Sequence, residues 1–399
     1  MEALKGVTVV DMTKYAAGPF CTMILADFGA DIIKVEGPTD PCPTRNFMPR
    51  IDDKDMSGYF AQYNRHKRGI SVDLRKDEGK EIIKELVKHA DIVVENFKPG
   101  VMKKLGLGYE VLKEINPKLV YCAVSGFGQD GPYAKRPAFD NNAQALSGIW
   151  SINGYPDRPP VRVGTIIGDL SASLYAAIGI MIALRHAEKT GQGQMVDVAQ
   201  TDSVISLMET AFVDYSLTGK IQGPMGNDNP NVRPYGQFKA KDGYVFFGGY
   251  LDSQWPKVCE FFGEPEFAKQ PGIDTMTSRF DMDTYNNIIK PKVEGWLSQY
   301  TVKELEEGLA EKIPLSGIKN VKQVVEDPQV QYRQALVTQH YPEKDILSIG
   351  QVIKLSETPG DPVGLSPHLG QHTNEVLKEF LGYTDEQIAA LAQDGVISN

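Results

Sequence analysis

Asp169 stands in VGTIIGDLSASLYAAIG, with a glycine before it and a long helical pattern after it. An aspartate at such a place caps its helix, because the carboxylate accepts from unpaired N–H groups of the first turn. The place equally suits a nucleophile. The helix dipole favours the ionised carboxylate, and Gly168 leaves room for a substrate to come close. Residue types alone leave both readings open. GFGQDG, residues 126–131, satisfies G-x-G-x-x-G after a predicted strand. A dinucleotide site also requires a helix to begin there and hold the pyrophosphate. Pro132, Tyr133 and AKRPAFD follow instead, so the segment reads as a glycine-rich loop. Neither a Walker pattern nor a G-x-S-x-G nucleophile turn occurs. His66 and His186 lie in polar stretches, and His368 and His372 in SPHLGQHTNEVL. Surface or capping roles are expected of them, and no pair has metal-ligand spacing.

Basic residues gather in NRHKRGISVDLRK (64–76), in FKPGVMKK (97–104) and in AKR (134–136). Each run lies beside a predicted strand end. Such runs commonly form a solvated face, yet open α/β sheets bind ligands at the loops beyond their strand ends. Three basic loops converging there could hold a phosphorylated cofactor such as coenzyme A, whose phosphates take several donors. The formal charge of −10 over 399 residues argues against the broad basic face that nucleic acid requires. Cys21, Cys42, Cys122 and Cys259 are widely spaced without a CxxC pair, so reduced thiols and a cytoplasmic location are expected. No signal-peptide pattern opens the sequence. The longest apolar run, 174–184, is shorter than the ~20 residues of a membrane span and reads as a buried helix.

The elements that must position these residues alternate in type. Strands are predicted at 7–11, 31–36, 70–74, 91–95, within 118–124 and at 195–200. Helices are predicted at 19–29, 76–89, 170–187 and 202–217. The strand segments are apolar throughout, as befits parallel strands covered on both faces, and the class is α/β with a Rossmann-like sheet. Residues 223–236 are rich in turn formers and mark a boundary or a functional loop. A smaller α+β region follows, with a strand at 244–247 and helices near 253–262 and 301–312, before a helical stretch from Asn374.

Beyond these patterns the sequence resembles the family III CoA-transferases, the CaiB/BaiF group. The likeness runs through LKGVTVVDMTKYAAGP, ADFGADIIKVE, NRHKRGISVDL, ADIVVENFKPGVMKKLGLGYEVL, the Asp169 segment, TGQGQMVDVAQTDS, PYGQFKAKDGYV and LGQHTNEVL. The resemblance implies a Rossmann-like large domain built from both termini (1–220 and 325–399), an inserted α+β domain (221–324), and two chains interlocked as rings in a homodimer. It implies acyl-CoA and a carboxylic acid as substrates, with no metal, nucleic acid or membrane. Asp169 becomes the carboxylate that attacks the thioester, forming a mixed anhydride and then an aspartyl-CoA thioester. Coenzyme A contacts fall on Ala16, Ala17, Val72, Leu74, Arg75, Asn96, Phe97, Lys98 and Lys104. Tyr59 and Asp140 fall on substrate-pocket positions, while 148–163 and 223–236 are expected to shape acyl specificity. Oxalate-specific members carry a glutamine at the Ala16 position, an arginine at Gly37 and a glycine-rich lid, none of which this sequence shows. Two alternatives accompany this reading. A 2-methylacyl-CoA racemase needs a histidine where Phe139 stands, and a non-catalytic CoA-binding protein would use Asp169 only as a helix cap.

Overall fold

The structure is a computed structural model that describes residues 2–229 and 231–398. It divides into two compact units. One joins Met1–Trp150, Arg162–Ile221 and Pro328–Asn399; the other comprises Ser151–Val161 and Gln222–Asp327. The sequence reading had left 151–161 in the large domain. Hydrogen bonds explain the difference: Gly226 N–H donates to Gly154 O at 2.7 Å and Asn227 Nδ2 to the Tyr155 hydroxyl at 3.2 Å.

In chain order the first unit begins β1 (Thr8–Asp11), α1 (Ala17–Asp27), β2 (Asp31–Glu36), α2 (Gly58–Asn64), β3 (Lys67–Val72), α3 (Asp77–Val87) and β4 (Ile92–Glu95). It continues with α4 (Val101–Lys104), α5 (Tyr109–Ile115), β5 (Val120–Ser125), α6 (Asp140–Ser147), α7 (Ile167–Thr190), β6 (Met195–Ala199), α8 (Gln200–Ile205) and α9 (Ala211–Thr218). Six strands run parallel in the order β3-β2-β1-β4-β5-β6. The helical stretch expected after Asn374 becomes two helices, Thr373–Leu381 and Asp385–Gln393, and a short strand Ile397–Ser398 that pairs antiparallel with β3. The single helix expected over 202–217 is broken between α8 and α9, where Glu209 takes φ of 45°.

Alternate residues of each strand feed opposite faces, which is why the strand segments are apolar without a polar period. Val10, Ile33, Val93 and Tyr121 pack with Ile82, Ile83 and Leu86 of α3. Val9, Ile32, Val94 and Cys122 pack with Cys21 and Leu25 of α1 and with Ala172, Ala176 and Ile180 of α7. Small residues on that side of α7 let it lie close to α1, and the Ser173 hydroxyl donates to Ala17 O at 2.6 Å. The opposite side departs from the buried helix expected. Leu174, Tyr175, Ile178, Met181 and Ile182 are exposed, Ile182 at 67%. By length and composition α7 is apolar enough to cross a membrane, but its inner face is core packing.

The second unit holds a three-stranded antiparallel sheet, β7 (Gly236–Lys239), β8 (Tyr244–Phe247) and β9 (Leu315–Gly317). Helices cover it around Phe247, Trp255, Val258, Trp296 and Leu305.

A fully buried charge cluster ties the first unit together. Asp11, at the end of β1, accepts from Thr13 N–H at 2.9 Å, the Thr22 hydroxyl at 2.7 Å and Lys67 Nζ at 2.9 Å. Lys34 Nζ lies 3.9 Å away and donates to Thr13 O. Burial raises the Asp11 pKa, but the two ammonium groups and the hydroxyl donors outweigh it and hold the carboxyl far below its ordinary value. Its stabilisation is therefore present above the ordinary aspartate pKa and lost as pH falls toward the folded value. Asp11→Ala would strand two buried cations and should cost about 3–5 kcal/mol in urea denaturation at pH 7.

Candidate active site

The sheet reverses its order between β1 and β4, and ligands of open α/β sheets bind in the crevice beyond the strand ends at such a point. A pair of hydrogen bonds clasps the two loops there. Lys14 N–H donates to Asn96 Oδ1 at 2.8 Å, and Asn96 Nδ2 donates to Lys14 O at 2.7 Å. The next residue, Tyr15, has φ of 64°, left-handed for a side chain that disfavours it. Two cavities open beside the clasp with Phe97 in the wall of both. One, of about 340 Å³, lies beyond β1, β2 and β3 and is lined by Val72, Leu74 and Arg75 among others. The other, of about 220 Å³, is lined by Tyr15, Lys98, Arg136, Phe139, Asp169 and Gln200 together with Ala17 and Asn96.

Asp169 is the third residue of α7, not its cap. The N-cap residue is Ile166, whose side chain makes no capping bond. Asp140, at the start of α6, supplies the cap: its Oδ1 accepts from Gly168 N–H at 2.7 Å and weakly from Asp169 N–H at 3.4 Å. The space beside Gly168 that the sequence reading reserved for a substrate is filled by this carboxylate. A Cβ at Gly168 would lie 3.1 Å from Asp140 Oδ1 and 3.3 Å from the Ala143 Cβ. Relieved of capping, the Asp169 carboxylate takes part in the cavity wall. Burial, and after it the charge of Asp140, pushes its pKa up to about 7. Its one hydrogen bond among the described residues comes from Gln200 Nε2 to Oδ1. Gly126 closes the cavity on another side; a Cβ there would meet the Ala138 Cβ at 2.2 Å, so glycine lets the segment before α6 fold over the end of β5.

Residues 4–373 match CoA-transferase family III. The chain belongs to that family. It is 37% identical over 397 residues to the succinyl-CoA–D-citramalate CoA-transferase of Chloroflexus aurantiacus, covering 99% of this chain and 98% of that protein. It is 34% identical over 398 residues to the succinyl-CoA:glutarate CoA-transferase of Homo sapiens, covering 100% of this chain and 90% of that one. A crystal structure of a CaiB/BaiF family protein from Brucella suis superposes with a TM-score of 0.84 at 34% identity, over 95% of this chain and 99% of the other. This protein is thus an acyl-CoA:carboxylate CoA-transferase with a mixed α/β fold.

Ala17, Asn96, Phe97 and Lys98 share the cavity of this CoA-transferase that contains Asp169, while Val72, Leu74, Arg75 and Phe97 share the neighbouring one. Ala16 is fully buried at the start of α1, and Lys104 is exposed at the end of α4; neither lines these cavities. Tyr59, on α2, is held protonated by burial first, then by Tyr63, Asp169 and Asp140. It lies near the aspartate without lining its cavity. Asp140 is a buried capping group, so its place at the pocket is indirect. The first basic run is chiefly structural. Arg65 is 1% exposed and pairs with Asp27, Lys67 serves Asp11, and Arg68 binds Asp31 and Glu379. Arg136, from the third run, stacks on the Tyr133 ring at 3.6 Å. Neither it nor Lys98 forms an ion pair among the described residues. Sequence reasoning missed Gln200 and Tyr15, neither of which carries a local signal.

Spacing had suggested no metal ligands, yet Asp52, Asp55 and His368 bring ligand atoms within 4.8 Å of one another. All three are engaged. Asp52 Oδ1 accepts from the N–H groups of Lys54, Asp55 and Met56, while Asp55 binds Arg45, Leu369 N–H and His368. They fasten 368–369 to the 52–56 loop. At Asp169 the raised pKa means that folding must hold a carboxylate which ionises less readily than the unfolded chain's, at 3.8. That penalty grows as pH climbs from about 4 to 7 and is constant above. Asp169→Asn should therefore melt higher than the parent at pH 8 in thermal unfolding, with the gain shrinking toward pH 5.

Proposed function

We propose that this CoA-transferase passes coenzyme A from succinyl-CoA to a second dicarboxylic acid through covalent intermediates on Asp169. The observation that carries the reading is a buried carboxylate, relieved of capping by Asp140, in a cavity at the sheet's reversal point, with Lys98 and Arg136 at the same cavity. The named relatives supply the succinyl-CoA and dicarboxylate classes. The Asp169 carboxylate attacks the thioester carbonyl carbon; the C–S bond breaks and coenzyme A leaves as thiolate, giving a mixed anhydride. The thiolate then attacks Cγ of Asp169, the donor acid departs as carboxylate, and an aspartyl-CoA thioester remains. The acceptor carboxylate reverses both steps with its own acyl group. Each exchange joins species of comparable energy. The cations at the cavity suit substrates that bring phosphates and carboxylates, and the neighbouring cavity offers Arg75 to the remainder of coenzyme A. Tyr15 and Phe139 stand edge to face in the wall of that cavity, with centroids 5.7 Å apart.

Two rival readings lose support here. Among the described residues no histidine lines the Asp169 cavity, and the racemase position holds Phe139. The non-catalytic reading needed Asp169 as a cap, a task that Asp140 performs. The exposed apolar side of α7, joined by Phe212, Val213, Tyr215 and Leu217 of α9, supports a homodimer in which a second copy covers it. Four free, buried thiols suit a reducing cytoplasm.

Intact-mass measurement with succinyl-CoA, trapped with hydroxylamine, should place an adduct on Asp169 and none on Asp169→Asn. Turnover of that variant should fall on the order of 10⁴-fold or more. Because the attacking form is ionised, the single-turnover rate of the parent should rise with pH through about 7. Absence of any adduct, with α-proton exchange into deuterated water, would remove the covalent route. For the assembly, Ile178→Lys with Ile182→Lys should convert a dimer to monomer in light scattering; a monomeric parent would remove the dimer.

A further inference from the structure

Among the described residues, Gln200 is the one side chain that donates a hydrogen bond to the Asp169 carboxylate, and two features fix it there. It is 7% exposed. It opens α8 directly after β6, and the next residue bolts that junction to the end of β5: both the N–H and the hydroxyl of Thr201 donate to Gly126 O, at 3.1 and 2.9 Å. The bond is addressed to Oδ1, and Oδ2 receives no donor among the described residues. The two carboxylate oxygens are thus made unequal by the protein.

We infer that Gln200 is a second catalytic residue, whose amide N–H reserves Asp169 Oδ2 for attack and then stabilises the oxyanion that develops on Oδ1. This rests on the covalent reading of Asp169. In the first step Oδ2 bonds to the acyl carbon as the C–S bond breaks. Oδ1 becomes the aspartyl carbonyl oxygen, still beneath the amide. When thiolate attacks Cγ, the electron pair of that carbonyl moves onto Oδ1, Cγ becomes tetrahedral, and collapse expels the donor acid with Oδ2. The acceptor's attack on Cγ passes through the same oxyanion. A fixed donor aimed where charge develops helps these two steps most, because it strengthens as Oδ1 gains charge. On the initial attack, where Oδ1 loses charge, it gives no such help. Other groups facing the carboxylate are Asp140 from α6, Tyr59 and Tyr63 from α2, and Lys98 and Arg136 at the cavity. None of them donates to Oδ1.

The test separates the half-reactions in the full-length protein. With succinyl-CoA and no acceptor, rapid quench follows coenzyme A release, and intact mass follows the acyl-anhydride and aspartyl-CoA adducts of Asp169. Gln200→Met keeps the volume without the donor; Gln200→Glu keeps the shape and supplies a second check should the first variant unfold on heating. In Gln200→Met the release phase at pH 9 should stay within about 10-fold of the parent. Formation of the aspartyl-CoA adduct should slow by about 10²–10³-fold, so that the anhydride accumulates. Loss of a donor to the ionised form should also move the acid limb of the release phase to higher pH. In Gln200→Glu the same partition should reappear at pH 9, where the ionised Glu has no proton to donate. Equal slowing of both phases with an unmoved acid limb, in either folded variant, overturns the inference and leaves Gln200 as packing. Absence of any Asp169 adduct in the parent would instead count against the covalent reading.

Discussion

A carboxylate that closes the first turn of its own helix is hydrogen-bonded to backbone and poorly placed to react. The cavity of this CoA-transferase that contains Asp169 depends on relieving that residue of the task. Asp140 approaches across Gly168, takes the N–H of the turn and is itself held by Gln144 Nε2 at 2.7 Å. This single cap has three consequences. It fixes α6 against α7 and leaves the Asp169 side chain to the cavity. It also sets a second negative charge close by, which adds to burial in pushing the Asp169 pKa up. A larger residue at 168 would press on Asp140 and Ala143 and disturb all three together.

The cap serves chemistry only because the sheet delivers it to the right place. Reversal of strand order between β1 and β4 opens a crevice that no single β-α unit could form. The Lys14–Asn96 clasp holds the loops on either side at a set distance, and Asp11 with its two lysines anchors the turn leading to Lys14. Phe97 then divides the crevice, so one chamber holds the Asp169 carboxylate and the other lies over the loops after β1, β2 and β3. A substrate with a bulky handle and a small reacting end matches that division.

The long helix α7 illustrates how a hydrophobic sequence can mislead. Its apolar run has no polar face because two sides are needed: alanines and Ile180 meet α1 and the sheet, while Leu174, Ile178 and Ile182 stand outward. A helix apolar all round is a buried helix or a membrane span when viewed alone. Here the chain itself covers only one side, and α9 likewise exposes apolar residues.

Much was legible in the residues themselves. Alternating apolar runs and helical patterns define an α/β chain, because parallel strands covered on both faces are mostly apolar; β2 and β8 fall where the runs do. Ordered motifs identify the family, and the resemblance points to Asp169, Asn96, Phe97 and Lys98, which the fold brings to one cavity. Tertiary structure decided what depended on partners far along the chain. NRHKRG resembles a phosphate-binding run, yet Asp27 and Asp11, dozens of residues away, consume Arg65 and Lys67. Asp169 reads as a cap until Asp140, from another helix, occupies that role. Gln200 carries no local signal, since its meaning lies in one hydrogen bond across 31 residues of sequence. Local pattern records which face of an element is apolar, whereas the partner of a charge or an amide is set by which strand ends meet in the folded sheet.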